Sequence, residues 1–389
     1  MKGLKKEEGI AFVITLLIMT LLLVMGTAFL SISSTETLIS INERNRFQAS
    51  HVAEAGSERA IAELNVNGAY AGTGGEQALG FGTYEATVTD LLPLPGIVDR
   101  KQVVSMGYVP NSAVLNSAMA QVQVDVQRGS PFKFAMLGID FVNLDDRVVV
   151  DSYDSAQGDY DPLTAGAKGD IKSNGDINLD TNNIVKGSVQ AGGDVTLGFD
   201  TNITGPITDG VSPTTFIAVN TSYQPTNSND TGISPPGAYD SGTRNLFVAN
   251  TVTLDPGTYY FNRIDLNAGA TLEISGPVII YMTGPIHAVG GGMINTSKNP
   301  TNLLIFSSAS GFNAIELDVG TGEFYGAVYL LDGEFDIDDS NWKFYGSIIA
   351  KEVDIDDDVE VHYDVALAKL SIPAGKFRPA AGTWRELFP

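Results

Sequence analysis

Residues 322–339 read GEFYGAVYLLDGEFDIDD, and residues 342–364 read WKFYGSIIAKEVDIDDDVEVHYD. The triplet that starts at Phe324 recurs at Phe344, a spacing of 20, and the DIDD segment at Asp336 recurs at Asp354, a spacing of 18. A unit of about 20 residues built from short strands and tight turns is typical of a β-solenoid, in which each coil buries its face against its neighbours. We therefore predict a β-helix or β-solenoid over residues 131–374. A β-sandwich is the alternative, because short strands with frequent turns suit that fold too.

Outside this region the pattern of hydrophobicity changes. The segments FGTYEATVTDLL, from Phe81, and AMAQVQVDVQRG, from Ala118, alternate apolar and polar residues with a period of two. This alternation predicts strands of a small sheet within residues 65–130, packed on a helix that precedes it. Residues 375–389 are expected to form a C-terminal tail. The predicted fold class is α+β and mostly β.

The preceding helix begins with an uncharged apolar run from Ile10 to Leu30. At a rise of about 1.5 Å per residue, this run spans roughly 31 Å, which matches the hydrocarbon core of a bilayer. Lys2, Lys5 and Lys6 precede it. The positive-inside rule then leaves the N-terminus in the cytoplasm and places the rest of the chain outside.

One face of the helix continues beyond the membrane with small residues. Ala49, Ala53, Gly56 and Ala60 recur at steps of four, three and four. Small residues at this spacing permit the close approach of another backbone, so we expect them to take part in filament packing. No proline occurs up to residue 64, and we predict one continuous helix over residues 10–64.

Two segments of this helix carry a family resemblance. EEGIAFVITLLIMTLLLVMGTAFLSIS (residues 7–33) and ERNRFQASHVAEAGSERAI (residues 43–61) resemble the N-terminal region of minor pilins of the PilX type. Residues 324–364 also resemble the C-terminal domain that accompanies such N-termini in some bacteria. The resemblance implies a prepilin leader over residues 1–9, cleavage between Gly9 and Ile10 by a prepilin peptidase, and methylation.

The resemblance includes one departure from the pattern of major pilins. Major pilins have a glutamate at the fifth mature position, which neutralises the N-terminal amine of a neighbouring subunit, whereas this chain has Ile14 there. An amine left unpaired in lipid is costly. The departure favours an initiating or tip subunit that presents its head for adhesion. The resemblance implies other pilins, the prepilin peptidase and the inner-membrane assembly machinery as partners, and a location at the inner membrane and then at the pilus or cell surface.

Two acidic clusters make calcium the one cofactor to consider. The DSYDSAQGDYD segment contains Asp151, Asp154, Asp159 and Asp161 within eleven residues. Oxygen-rich turns of this kind can hold calcium, although the spacing is not that of an EF-hand. The alternative is a polar turn in which aspartates accept hydrogen bonds from nearby backbone amides.

The second cluster consists of the two DIDD segments. If coils stack with the period of the repeat, Asp336 lies beside Asp354, and Asp338 beside Asp356, at a distance of about 4.8 Å. Such carboxylates repel one another unless water screens them or a cation bridges them. A solvated acidic face that discourages edge pairing is the alternative.

Composition excludes several classes of function. The net charge of −23 opposes binding to nucleic acid. The absence of cysteine removes disulfides, thiolate metal sites and cysteine nucleophiles. The three histidines are not spaced as metal pairs and no GxSxG motif occurs, so we expect no enzymatic activity. Two alternatives to a minor pilin remain at this stage: a type II secretion pseudopilin, and a membrane-anchored β-helix that binds or cleaves a surface polysaccharide.

Overall fold

The computed structural model describes residues 4–92, 99–290, 292–318, 320–338 and 341–387. Within this part of the chain there are one α-helix, thirty strands and three short 3-10 helices. The chain divides into two compact units. The first comprises residues 4–92, 99–127 and 377–387, and the second holds the described residues between 128 and 376. The fold class is therefore α+β and mostly β, as predicted.

The first unit begins with α1 (Leu4–Val66) and continues with β1 (Gln77–Leu79), β2 (Gly82–Asp90), β3 (Lys101–Val109) and β4 (Ala118–Arg128). The second unit opens with β5 (Met136–Leu144), β6 (Val149–Tyr153), β7 (Ile171–Ser173), β8 (Asp176–Leu179), β9 (Ile184–Val185), β10 (Val189–Ala191), β11 (Val195–Leu197), β12 (Asn202–Ile203) and β13 (Ile207–Thr208).

After a long connection the second unit continues with β14 (Ile233–Ser234), β15 (Tyr239–Asp240), β16 (Asn245–Val248), β17 (Thr251–Leu254), β18 (Gly257–Phe261), β19 (Arg263–Leu266), β20 (Ala270–Ile274), β21 (Val278–Met282), β22 (Ile286–Ala288), β23 (Gly292–Ile294), β24 (Leu303–Ser307), β25 (Gly311–Leu317), β26 (Gly322–Ile337), β27 (Trp342–Ile355) and β28 (Glu360–Asp364). The chain then returns to the first unit with β29 (Phe377–Pro379) and β30 (Arg385–Leu387). The 3-10 helices are Pro236–Ala238, Pro300–Asn302 and Val365–Lys369.

In the first unit, β1 to β4 form an antiparallel meander. The outer half of α1 covers one face of this sheet, because the helix presents small residues there. Ala49 and Ala53 are fully buried. Gly107 of β3 lies so close that a Cβ placed on it would be 2.2 Å from the Ala49 carbonyl oxygen. The helix and the strand therefore pack backbone against backbone.

The predicted C-terminal tail needs a correction. Residues 377–387 are not a free tail, since β29 and β30 both pair with β4 and extend the small sheet. The side chain of Asn65 fixes this return: it accepts a 2.6 Å hydrogen bond from the Phe377 amide and donates a 3.2 Å bond to the Phe377 carbonyl. The Phe377 ring is buried at 3% exposure. Residues 388 and 389 lie outside the described part.

The second unit is a three-sided parallel β-helix, which confirms the solenoid and not the sandwich. Each coil contributes three strands, so that a strand pairs in parallel with the third strand after it, as β16 does with β19, β17 with β20 and β18 with β21. The FYG repeat stacks in register, with Phe324 beside Phe344 and Tyr325 beside Tyr345. Their rings lie 4.9 and 4.2 Å apart, centroid to centroid.

The coils do not stack in the order of the sequence. The chain enters at β5 in the middle of the stack and builds coils in one direction as far as β13. The next coils, from β16 to β28, build towards the middle from the opposite end. The last of them pairs with the first, as Ile355 of β27 aligns with Leu144 of β5 and Val361 of β28 with Val150 of β6. Two arms thus share one central junction.

Residues 210–232, which we name the return strap, connect the two arms along the outside of one face. Asn174 exchanges two hydrogen bonds with the backbone of Thr214 near one end. Halfway along, the Tyr329 hydroxyl bonds both the amide and the carbonyl of Ile217. At the far end, the side chain of Asn229 pairs with the backbone of Tyr260. The strap covers a second apolar cluster on this face, whose strands therefore bury both of their sides.

One corner of the β-helix explains the many aspartates and asparagines. Residues Asn341, Asp358, Arg147, Asn182 and Asp200 occupy equivalent positions in successive coils, and all have positive φ angles between 59° and 75°. Asparagine and aspartate tolerate the left-handed region better than other residues with a Cβ. The corner therefore selects these residues for their backbone conformation.

Candidate functional site

The inner half of α1 is apolar and exposed. The helix contains a stretch between Ile10 and Val66 that is long and apolar enough to cross a membrane, with a mean hydropathy of 2.6 and none of its most apolar window buried. Ile10 is 59% exposed and Ile14 is 52% exposed. An uncovered apolar surface of this length is stable in lipid and not in water. The role of Ile14 in filament packing stays a prediction.

The other four residues predicted for filament packing lie elsewhere. Ala49, Ala53, Gly56 and Ala60 are all buried against the small sheet of their own unit. A Cβ on Gly56 would be 2.4 Å from the Ser105 hydroxyl oxygen. Their surface is already occupied by β2 and β3, so it is not free to contact another subunit. The spacing of small residues alone does not distinguish packing on the chain's own sheet from packing on another subunit.

A densely charged surface lies on one side of the β-helix, and we name it the acidic face. Its outward positions run from coil to coil in register, with Asp336 beside Asp354 as the repeat predicts, and Glu334 beside Glu352. Asp338 and Asp356 follow at the next corner. Further carboxylates of this face belong to Asp145, Asp176, Asp180, Glu316 and Asp318.

Cations and amides balance part of this face. The Lys351 ammonium lies 3.3 Å from Asp140 and 2.5 Å from Glu352. The Asn143 amide donates to Asp354 at 2.9 Å, which screens that carboxylate on one side. His287 pairs with Glu316 at 3.3 Å.

Asp336 is the member of the acidic face whose carboxyl is most disfavoured in its charged form. It is 8% exposed, and burial together with the charges of Asp338, Asp354 and Glu334 raises the pKa of its carboxyl to about 8. Burial also raises the pKa of Glu334. Glu316, Asp336 and Asp338 each offer a carboxylate oxygen within 4.8 Å of the others, so these three residues could hold a metal ion. Calcium binding by Asp336, Asp338, Asp354 and Asp356 stays a prediction.

The residues of the first aspartate cluster lie in different environments, and calcium binding by this cluster stays a prediction. Asp151 is 1% exposed and its carboxylate is engaged by other residues of the fold. Asp154 accepts hydrogen bonds from the Ala156 amide and the Gln157 side chain, and Asp161 accepts one from the Leu163 amide. These bonds within the turn are the alternative described above. Asp154, Asp159 and Asp161 line a polar surface pocket of about 550 Å³.

The partner of Asp151 is a residue that the sequence does not connect with it. His362 of β28 is fully buried, and its Nδ1 lies 2.7 Å from the Asp151 carboxylate. Its Nε2 lies 3.0 Å from Glu360, which also pairs with Lys343 at 2.8 Å. The Tyr160 ring stacks on the imidazole at 3.7 Å, and its hydroxyl donates to Asp151. This buried cluster holds the 154–168 loop on the coil.

The charges of the cluster are mutually stabilising. Burial by itself lowers the pKa of His362, but the hydrogen bonds to Asp151 and Glu360 outweigh it and leave the pKa raised. The hydrogen bond to His362 in turn lowers the pKa of Glu360 to about 2. The imidazole is fully enclosed and cannot reach a substrate. Because Asp151 and His362 belong to the two different arms, no local pattern in the sequence could have linked them.

Comparisons with known proteins cover only part of the chain. The family described as Domain of unknown function (DUF7305) matches residues 265–370, which run from β19 to the last 3-10 helix. No curated protein sequence matches the chain. Among solved structures, an ice binding protein from an Antarctic Biological Consortium is similar with a TM-score of 0.29 and 13% identity, covering 60% of this chain and 89% of that one.

Proposed function

We propose that this chain is a minor pilin-like subunit of a type IV pilus or a related filament, of the PilX type. The observation that carries the proposal is the architecture of α1. Its inner half is an exposed apolar rod, and its outer half is packed on a small antiparallel sheet by buried small residues. A helix divided in this way can lie in a membrane and can pass into a filament core without unfolding the unit that it carries.

The position in the filament follows from Ile14. After cleavage at the Gly9–Ile10 bond, Ile14 is the fifth mature residue, and its side chain cannot neutralise the N-terminal amine of a neighbour. A subunit at the tip does not need to join beneath another subunit. We therefore assign the chain to initiation or to the tip, with its partners being other pilins and the inner-membrane assembly machinery.

The β-helix is then the part that the tip presents. The strands that carry Glu316, Asp336 and Asp354 pair on both sides, which holds this part of the acidic face in a fixed arrangement. A regular array of oxygen acceptors suits a surface ligand that offers cations or hydroxyl groups, such as a carbohydrate. Adhesion is the role we assign to the head.

The proposal is tested by the N-terminus of the mature protein. The full-length chain is produced together with a prepilin peptidase, purified from membranes in detergent and sequenced from its amino terminus. We expect the mature chain to begin at Ile10. A Gly9→Val variant should stay uncleaved, because the peptidase requires a small residue at that position in the family that the sequence resembles.

A Gly26→Val variant is the matched control, since Gly26 lies in the same helix with open space around it and should leave processing unchanged. A chain that still starts at Met1 in the presence of the peptidase would contradict the proposal. Cleavage near Ser31 would contradict it too, because that position indicates an ordinary signal peptide.

A further inference from the structure

The two ends of the β-helix are finished differently. One end is the coil formed by β16, β17 and β18. There β14 pairs antiparallel with β17 and β15 pairs antiparallel with β16, and the two strands cover this coil. The inward-facing residues of that coil, Leu246, Val252 and Leu254, are 0–2% exposed. A solenoid needs such a cap, since its terminal coil has no neighbour on one side.

The opposite end, which we name the open end, has no cap among the described residues. It is formed by β11, β12 and β13, each of which pairs with the preceding coil only. Leu197 and Ile207 face the core at positions where Leu179 and Val189, one coil deeper, are fully buried. At the open end the same positions are 44% exposed.

Exposed apolar area and an unpaired strand edge coincide here. Phe199, at the corner between β11 and β12, is 81% exposed. The Val195 amide of β11 donates to the Asp209 carboxylate at 3.2 Å. The rest of a free edge of this kind offers unpaired backbone groups, and proteins commonly protect such edges because other strands add to them. Recognition by strand addition uses these two features together: the backbone edge gives affinity and the apolar positions select alternate side chains.

The charge of the rim decides which partner fits. Residues 192–210 contain Asp194, Asp200 and Asp209 and no lysine, arginine or histidine. The three aspartates are exposed and have no ion pair within the described part of the chain. A second copy would place a second ring of aspartates against the first, which is repulsive. Stacking of the open end on the opposite end of another copy is prevented by β14 and β15.

We propose that the open end is a docking site for an extended segment of another protein that alternates apolar and basic residues. The segment adds its backbone to the edge of β11 to β13, places its apolar side chains over Leu197 and Ile207, and pairs its lysines or arginines with the aspartates of the rim. The proposal concerns the solenoid alone and stands independently of the pilin assignment.

Two fluorescein-labelled peptides test this on the full-length chain in detergent. One is KVTVKVTVK, and the other has glutamate in place of every lysine. We expect the basic peptide to bind with a micromolar Kd that weakens severalfold between 50 and 500 mM salt, because salt screens exposed ion pairs. The acidic peptide should bind at least tenfold more weakly.

Variants locate the site. A Leu197→Asn and Ile207→Asn double variant should lose at least tenfold in affinity for the basic peptide. Leu163→Asn is the control, because Leu163 lies on the same unit away from the open end and is 92% exposed, and it should leave the affinity unchanged. An Asp194→Asn and Asp200→Asn double variant should reduce the difference between the two peptides. Asparagine keeps the left-handed conformation that Asp200 needs.

Three results of the binding experiments would overturn the proposal. They are equal binding of both peptides, no binding of the basic peptide, and unchanged affinity in the Leu197 and Ile207 variant. Because the chain has no cysteine, a Thr196→Cys variant adds a single thiol at the edge of β11. Rapid disulfide-linked dimerisation of that variant would identify a second copy as the occupant instead and would equally overturn the proposal.

Discussion

The carboxylate of Asp336 illustrates what a stacked repeat demands of a single residue. It faces outward from β26 between neighbours in the coils on either side, and 8% of the residue is exposed. Its folded pKa of about 8 lies above the unfolded value of 3.8. The folded state therefore binds a proton that the unfolded state has released. Between these two pKa values, stability falls as the pH rises.

An Asp336→Asn variant should remove this dependence. We expect the variant to be more stable than the native chain at pH 9 by about 1–3 kcal/mol, a fraction of the full shift, because neighbouring carboxylates and water relax around the charge. The difference should shrink towards pH 4, where the native carboxyl is protonated. Urea denaturation of the full-length chain in detergent at several pH values measures this, with the buried indole of Trp342 as the reporter.

Asp161→Asn, at an exposed turn of the same unit, serves as the control and should leave the pH dependence as it is. If the free energy of unfolding changes with pH equally in Asp336→Asn and in the native chain, Asp336 is not the group that causes the pH dependence. The same denaturation curves with calcium and with a chelator test the calcium hypothesis. If the acidic face binds no calcium, the two curves of the native chain coincide.

At this scale the sequence predicted stacking but not long-range contact. The spacing of Asp336 and Asp354 was sufficient, because residues at equivalent places in successive coils become neighbours. The contact between Asp151 and His362 was not predictable, since it joins two arms that meet only through the order in which the coils stack. For Asp151 a local turn pattern suggested a metal ligand, whereas burial and the imidazole determine its role.

At the scale of elements, the packing of α1 on β3 depends on glycine. Gly107 lies where any side chain would enter the helix backbone at Ala49 and Ala53. The sequence predicted a small sheet packed on this helix, but the periodicity of small residues did not by itself connect that sheet with Ala49 and Ala53. Packing of the helix on its own sheet and packing on another subunit both need small residues, because two backbones can approach closely only where the side chains between them are small.

A Gly107→Val variant should separate the helix from the sheet. The added side chain would overlap the Ala49 carbonyl, and we expect the free energy of unfolding of the first unit to fall by about 1–3 kcal/mol. Proteolysis of the outer half of α1 should become faster, which gel electrophoresis of the full-length chain in detergent would show.

Gly237→Val is the matched control, because Gly237 has an ordinary φ angle and a Cβ at this residue would have no atom within 4 Å. It should leave the protease resistance of α1 unchanged. Undiminished resistance in the Gly107→Val variant would mean that the helix does not rest on β3 as described.

At the scale of the whole molecule, the junction of the two arms joins the coils of the second unit into one continuous stack. Ile355 and Leu144 are register partners across this junction, and both are fully buried. The repeat predicted a solenoid but not the order of the coils along the stack. A repeat period indicates that coils stack on one another, but it does not indicate which coils are neighbours. The return strap is rich in serine, threonine, asparagine and proline, a composition that does not show which face it crosses.

We expect an Ile355→Ala variant to lose about 2–5 kcal/mol of unfolding free energy and to weaken both arms in one transition. Ile203→Ala, at the partly exposed open end, should cost less than about 1 kcal/mol, because little packing is removed there. Urea denaturation followed by tryptophan fluorescence compares the two, with Trp384→Phe in every chain so that Trp342 is the single reporter. Equal losses would mean that stability is spread evenly along the stack and that the junction has no special weight.

The central junction also determines at which point of synthesis the β-helix can be completed. The coil that residues 353–364 begin is completed on its third side by residues 136–138, which leave the ribosome more than two hundred positions earlier. A nascent chain that ends prematurely cannot close this coil, whichever of its earlier segments have already formed. The stack of coils in the second unit is therefore completed only after the chain has been synthesised through residue 364.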